Sequence, residues 1–310
     1  MAHAGMVLEE WQLLDGILDR AKSSSVSLTG RNLTIADVVS VARYNAQTDI
    51  SSSAIERMNG GLNMLETRLQ GGDIIYGVNT GFGGSADSRT KQIAELQRAL
   101  IRELHYGVLP HGGRDHHAAP LDETLEIHRR DLSLDIGSDR SYLPRSWGRA
   151  AILIRINSLI SGCLAVRPVI AERMQDLLRH DIVPMIPLRG SISAFGDLIP
   201  LSYVSGAIQG KPTIRVLSRG EQDVYADTAL NRAGLQPVTI QAKEGLAITN
   251  GTAVSAAVAA LALHDTQGLA LLAQVLTAMS TEALNGTTES FHPFFSEARP
   301  HPGQKPPTTY

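Results

Sequence analysis

The stretch from Ala253 to Leu284 constrains this chain more than any other. Its roughly 30 residues would form a helix about 45 Å long, with apolar side chains on nearly every side. His264, Asp265 and Gln267 interrupt that character, which argues against a membrane span. A helix apolar all round must be enclosed by others, so the expectation is the buried centre of a helical bundle. Asn250-Gly251-Thr252 opens the helix, and the proline-rich FHPFFSEARPHPGQKPPTTY that follows cannot extend it. Ala, Leu and Ile dominate the apolar residues and aromatics make up only 5%, a composition suited to helices.

The remaining chain reads as further helices separated by polar or glycine-rich breaks. Val7 to Ala21 places Val7, Trp11, Leu13, Leu14, Ile17 and Leu18 on one stripe. Thr34 reads as the N-cap of a short helix through Val41 and Ala42. Ser53 with Glu56 resembles a capping box for a helix ending near Gly71-Gly72. Helical spacing recurs over Ile93 to His105, Ala150 to Leu164 and Pro168 to Leu178, and an apolar run covers Leu198 to Ile208. Residues 211–237 are the one convincing β-prone region, with Thr213 to Leu217 before a turn at Ser218-Arg219-Gly220. Residues 111–143, rich in Gly, Asp and His, read as an exposed insertion.

With 310 residues, a domain buries about three quarters of its unfolded surface, and length alone makes two domains a soft expectation. The charge balance, 28 basic against 31 acidic residues, excludes a nucleic-acid or anionic-membrane footprint. Cys163 has no internal disulfide partner, and Met1 to Trp11 carries Glu9 and Glu10 but no apolar run. Both point to a reducing, cytoplasmic setting.

Four places invite chemistry. The loop YGVNTGFGGS, from Tyr76 to Ser85, has neither the Gly-Lys-Ser/Thr nor the dinucleotide glycine spacing of a phosphate cradle. It suits a hinged loop carrying one reactive side chain, with Tyr76 either a buried phenol serving as acid or base or a packing tyrosine beside a turn. His111, His116, His117 and His128 lack helical or finger spacing and have no cysteine near them, so no metal is expected. Glu103 has no charged neighbour four residues away and reads as a solvated carboxylate. Arg189 to Leu198 is a Gly/Ser turn before an apolar helix, whose N-terminus Asp197 would cap or charge.

These stretches together resemble the aromatic amino-acid ammonia-lyases, the fungal phenylalanine enzymes most closely. The likeness is carried by YGVNTGFGGSADSRT (76–90), LQRALIRELHYGVLP (96–110), RINSLISG (155–162), PLRGSISAFGDLIPLSYVSGAIQG (187–210), KEGLAITNGTAVSA (243–256) and SFHPFFSEARPHPGQ (290–304). The resemblance implies a mainly α fold, a long-helix bundle with a smaller N-terminal loop-rich domain. Residues 1–29 would be a helical extension, 30–245 the domain carrying the prosthetic group, and 246–310 the start of the central bundle. It also implies a homo- or hetero-tetramer acting on an aromatic amino acid, with no external cofactor. In the family, an Ala-Ser-Gly tripeptide cyclises and loses two waters to make the electrophile 4-methylidene-imidazol-5-one. Carried over by position, Tyr76 is the loop acid/base, and Asn250 hydrogen-bonds the prosthetic group and substrate region. Glu103 and Leu104 fall on the pair that reads the substrate ring, and Ala194, Phe195 and Gly196 occupy the tripeptide.

Two departures follow from that resemblance. Phe195 stands where the family has serine, so there is no hydroxyl to leave and the electrophile is expected not to form. Family members also continue well past PHPGQ with further pocket residues, among them an arginine that clamps the substrate carboxylate. The expectation is a phenylalanine ammonia-lyase relative impaired as it stands. The alternatives are a non-catalytic subunit paired with a full-length paralogue, or a truncated gene model.

Overall fold

The computed structural model describes residues 25–107, 109, 141–191, 197–218 and 221–301, together with Leu8, Gln12, Gly16 and Ile17. Most of the stripe over 7–21, nearly all of the 111–143 insertion with its four histidines, and the tripeptide at 194–196 lie outside these residues.

After the helical residues Leu8, Gln12, Gly16 and Ile17, the last buried in the core, come strand β1 (Val26–Leu28), helix α1 (Ile35–Tyr44) and strand β2 (Thr48–Ile50), the two strands parallel in the register Val26 to Thr48 and Leu28 to Ile50. Thr34 caps α1 as expected: its Oγ1 accepts from Asp37 N at 3.1 Å, and its own N–H donates to the Asp37 carboxylate at 3.0 Å. Helix α2 (Ser52–Gln70) starts earlier than the expected Ser53–Glu56 box. The extended residue after β2 is Ser51, so it supplies the cap, accepting from Ala54 N at 3.3 Å, and Gly71 closes the far end.

Helices α3 (Ile93–Glu103), α4 (Arg145–Leu159) and α5 (Pro168–Arg179) follow, then strand β3 (Val183–Pro184) and helix α6 (Leu198–Ile208). Helix α4 is shifted from the expected 150–164. It begins directly after Pro144, and it ends at Leu159 because the backbone reverses through Gly162 at φ 86°. Strands β4 (Arg215–Ser218) and β5 (Glu221–Tyr225) form an antiparallel sheet with β3 in the order β3-β4-β5. The β-prone reading of 211–237 thus holds only in part, since α7 (Ala226–Arg232) occupies its second half, and β1 to β3 had no counterpart in it. Helix α8 (Glu244–Thr249), helix α9 (Ala253–Ala283) and helix α10 (Pro293–Ala298) complete the described chain.

Helix α4 is the hub. Ala150, Ala151, Ile152, Leu153, Ile156 and Leu159 are all fully buried, and α1, α5 and α9 pack around them. Buried Arg149 ties three segments together. It donates to Val41 O at 2.9 and 3.1 Å, to Leu178 O at 3.1 Å, and to Asp181 Oδ1 at 2.9 Å. A cation at the converging C-terminal ends of α1 and α5 also faces the negative poles of both helix dipoles.

Helix α9 departs from the expectation of a buried bundle centre. Ala253, Ala257 and Leu261 are buried against α4 and α1, and Asp265 is held bidentately by Arg43 of α1 at 2.5 and 2.6 Å. Beyond that pair the apolar side chains of Leu269, Leu272, Val275, Leu276 and Met279 lie bare, Leu269 at 66% exposure. The 285–291 segment borders a cleft with Gln274, Thr277, Ala278 and Thr281, but these apolar side chains stay exposed, so the helix's all-round hydrophobicity is answered mainly at one end.

Candidate functional site

Tyr76 sits on a loop whose fold is set by its own polar side chains. Asn79 Oδ1 accepts from Ile75 N at 2.8 Å while its Nδ2 donates to Asp73 O at 2.9 Å. Buried Thr80 accepts from Gly77 N at 3.0 Å and donates to Gly81 O at 2.9 Å. The Tyr76 hydroxyl accepts from Gly83 N at 3.0 Å. The phenol is 53% exposed, which corrects the reading of a buried one. The glycine backbone that folds back on its hydroxyl carries no side chains to cover the ring.

This loop is pinned to α8 by Gln97 of α3, a fully buried glutamine. Its Nε2 donates to Gly77 O at 2.9 Å, and its Oε1 accepts from Leu246 N at 3.2 Å. Gly77, at φ 68°, is held so close to α8 that a Cβ there would lie 2.5 Å from Leu246 Cδ2. The short α8 is anchored from outside at both ends. Glu244, buried at its start, pairs with Arg167 through contacts of 2.8 Å to each carboxylate oxygen and accepts from Gln241 N at 2.7 Å. At its C-terminus buried Arg155 of α4 donates to the carbonyls of Ala247, Ile248 (3.0 Å) and Asn250 (2.8 Å). Burial pulls the Arg155 guanidinium down to about 10, so it stays charged at neutral pH. Exposed Asn250 is the C-cap of α8, with its N–H on Leu246 O at 2.9 Å.

Glu103 and Leu104 end α3. Glu103 is exposed, as expected, but it is not unpartnered: Arg102 donates to its Oε1 at 3.2 Å and the Tyr106 hydroxyl to its Oε2 at 2.9 Å. These contacts come from positions one and three residues away rather than four. The carboxylate in turn holds the Tyr106 phenol above its usual range. The chain then crosses α6, where Ser202 Oγ donates to Leu104 O at 3.3 Å and His105 Nε2 donates to Ser202 O at 2.9 Å. The His105 ring lies 5.1 Å from that of Tyr203, whose hydroxyl accepts from Gly107 N at 3.1 Å. Burial lowers the affinity of His105 for a proton, with the charge of Lys211 adding to it and the Ser202 carbonyl opposing it.

Ala194, Phe195 and Gly196 lie outside the described residues, but both their flanks are described. Ser191 donates its hydroxyl to Asp197 Oδ2. Asp197 stands at the N-cap of α6 with the Ile199 N–H near its side chain, though short of full cap hydrogen-bond geometry. Burial raises its carboxyl above the usual carboxylate range, with the Ile199 N–H partly opposing. Helix α6 packs on both α3 and α8. The helices ending at Glu103 and Asn250 therefore both lie against the helix that begins just after residues 194–196, and the Tyr76 loop is tied to those two helices through Gln97.

Gln97 and Arg155 do not stand out among the reactive residue types. A signal for each is nevertheless present. Gln97 falls between Ile93 and Ile101 at four-residue spacing, a polar residue on an apolar stripe, and Arg155 interrupts the apolar face of Ala151 and Leu159 in the same way. Among the described residues no three His, Cys, Asp or Glu side chains gather as a metal site would require.

The aromatic amino acid lyase family matches residues 33–307. A phenylalanine ammonia-lyase of Flammulina velutipes is 45% identical over 288 residues, covering 90% of this chain and 38% of that protein. A phenylalanine aminomutase of Talaromyces islandicus is 41% identical over 305 residues, covering 98% of this chain and 40% of its own length. The crystal structure of the phenylalanine ammonia-lyase from Rhodosporidium toruloides superposes with a TM-score of 0.71 at 34% identity, over 92% of this chain and 40% of that one. The chain thus spans about two fifths of the length of these relatives. A helical architecture of the ammonia-lyase kind and a match over most of the sequence place this chain in the aromatic amino acid lyase family.

Proposed function

We propose that this chain carries part of the pocket of a phenylalanine ammonia-lyase and is impaired in that chemistry as it stands. The observation that carries the reading is the bracing of the Tyr76 loop and the Asn250 turn by one buried side chain, Gln97. In this reading the Tyr76 phenol exchanges a proton with substrate, its hydroxyl being within reach of solvent and of the Gly83 N–H. The Asn250 amide orients the reacting end of the amino acid, and Glu103 with Leu104 meets its ring. A carboxylate there is costly beside a bare phenyl group and better suited to a ring bearing a hydrogen-bond donor.

The prosthetic group of the family does not fit residues 194–196. Its formation by dehydration needs an oxygen on the central Cβ, and Phe195 has a phenyl ring there instead. The test compares the parent with Phe195→Ser by intact mass and by cinnamate release from L-phenylalanine. The parent is expected to keep its full mass and release none, while the variant loses two waters. Cinnamate formation by the unaltered chain, or loss of two waters from it, overturns the reading.

A second reading, a subunit that assembles with another family chain, is favoured by the bare apolar length of α9 from Leu269 to Met279. Family-type tetramers would cover such a surface. Co-purification with a full-length relative supports it, and a stable lone monomer at high concentration refutes it.

A further inference from the structure

We infer that Gln97 is a positioning residue that couples the Tyr76 loop to the Asn250 turn through a continuous run of hydrogen bonds. The inference deepens the reading of Tyr76 and Asn250 as one site. The run starts at the carbonyl of Gly77, next to Tyr76, which accepts from Gln97 Nε2 at 2.9 Å. It continues from Gln97 Oε1 to the N–H of Leu246 at 3.2 Å. It ends at the carbonyl of Leu246, which accepts from the N–H of Asn250 at 2.9 Å. The amide orientation follows from chemistry: a carbonyl only accepts and a backbone N–H only donates, so the nitrogen must face Gly77 and the oxygen Leu246.

Several features make this more than a buried glutamine that happens to be satisfied. Leu246 N belongs to the first turn of α8, where backbone N–H groups have no partner within the helix, so Gln97 fills a vacancy the helix itself creates. Glycines stand on both sides of the contact. A Cβ on Gly245 would lie 2.8 Å from Gln97 Oε1, and one on Gly77 would meet Leu246. Gln97 itself is fully buried, so water cannot replace either bond without a cavity opening. The two segments are 170 residues apart between Tyr76 and Leu246 (246 − 76), and this amide joins their backbones directly.

The test is native-state hydrogen exchange on the full chain. In Gln97→Met, which keeps the side-chain length but loses both bonds, amides of 75–80 and of 246–250 are expected to exchange about tenfold faster, with those of α4 unchanged. Thr80→Val frees Gly77 N and loosens the loop without touching α8. It should speed exchange at 246–250 several-fold in the parent and have no such effect in the Gln97→Met background. Faster exchange confined to α3, an equal rise in every helix, or a Thr80→Val effect that persists without Gln97 overturns the inference. If Gln97→Met does not fold, the Thr80→Val arm decides alone: unchanged exchange at 246–250 refutes coupling. Exchange needs no turnover. Cinnamate release by the unaltered chain with coupled segments would count against the proposed function only, and uncoupled segments in a chain that releases none against the relay only.

Discussion

Replacing Arg155 by methionine removes the guanidinium that closes α8 and keeps most of the apolar stem. Arg155 is 3% exposed and serves three carbonyls. The Asn250 carbonyl belongs to an exposed residue and regains water. The other two belong to Ala247 and Ile248, which are 4% and 0% exposed and have no such recourse. Each stranded buried carbonyl costs roughly 1–2 kcal/mol, so the pair predicts a loss of about 2–4 kcal/mol. The burial penalty of the cation does not cancel this, because such mutational values already contain the donor's desolvation. Arg155→Lys keeps the charge but cannot reach three carbonyls from one planar fork, and is expected to recover less than half of the loss. Urea unfolding followed by circular dichroism measures both variants. A methionine variant within about 0.5 kcal/mol of the parent would refute the claim that these bonds hold the Asn250 turn.

Two further outcomes are expected. An unfolded histidine takes up its proton near pH 6.5, whereas burial leaves His105 neutral to lower pH. The unfolded chain then binds more protons, so stability is expected to fall as pH drops through that value. His105→Gln, which keeps a donor for Ser202, should flatten the fall in melting profiles between about pH 7 and 5, and an unchanged slope would show that another group titrates. On α9, Leu269→Glu combined with Leu276→Glu places charge on the bare face and should shift sedimentation toward the monomer. A parent that already sediments as a monomer at high concentration would show that this face does not drive association.

Local signals predicted what local physics controls. The start of α9 and the cap of α1 were legible because a change to unbroken apolar periodicity and a threonine three residues before an aspartate act within one turn. Strands β1, β2 and β3, of three, three and two residues, are too short for alternation to register and exist because tertiary packing pairs them. Ser51 displaced Ser53 as a cap because the end of β2, a pairing made elsewhere in the chain, decides where α2 starts. Family resemblance supplied Tyr76 and Asn250, but not what holds them. Gln97 and Arg155 act on backbone groups 149 and 93 residues away, and no spacing rule reports on such a partner. The exposure of α9 was equally invisible, since periodicity shows that a helix needs covering and not whether the chain provides the cover.

The Arg43–Asp265 pair acts on α9 as a clamp acts on a cantilever. From Asp265 to Ala283 the helix runs about 27 Å with its large apolar side chains mostly exposed, and the bidentate grip of Arg43 fixes the root of that reach. A slip of one turn would carry Asp265 about 5.4 Å past its guanidinium, so the pair sets both the height and the heading of the overhang. Small play at this root is magnified at the tip. Whatever docks on the outer face must therefore either accept the aim that Arg43 imposes or break it, and a lesion at this inner joint would be felt most at a surface it never touches.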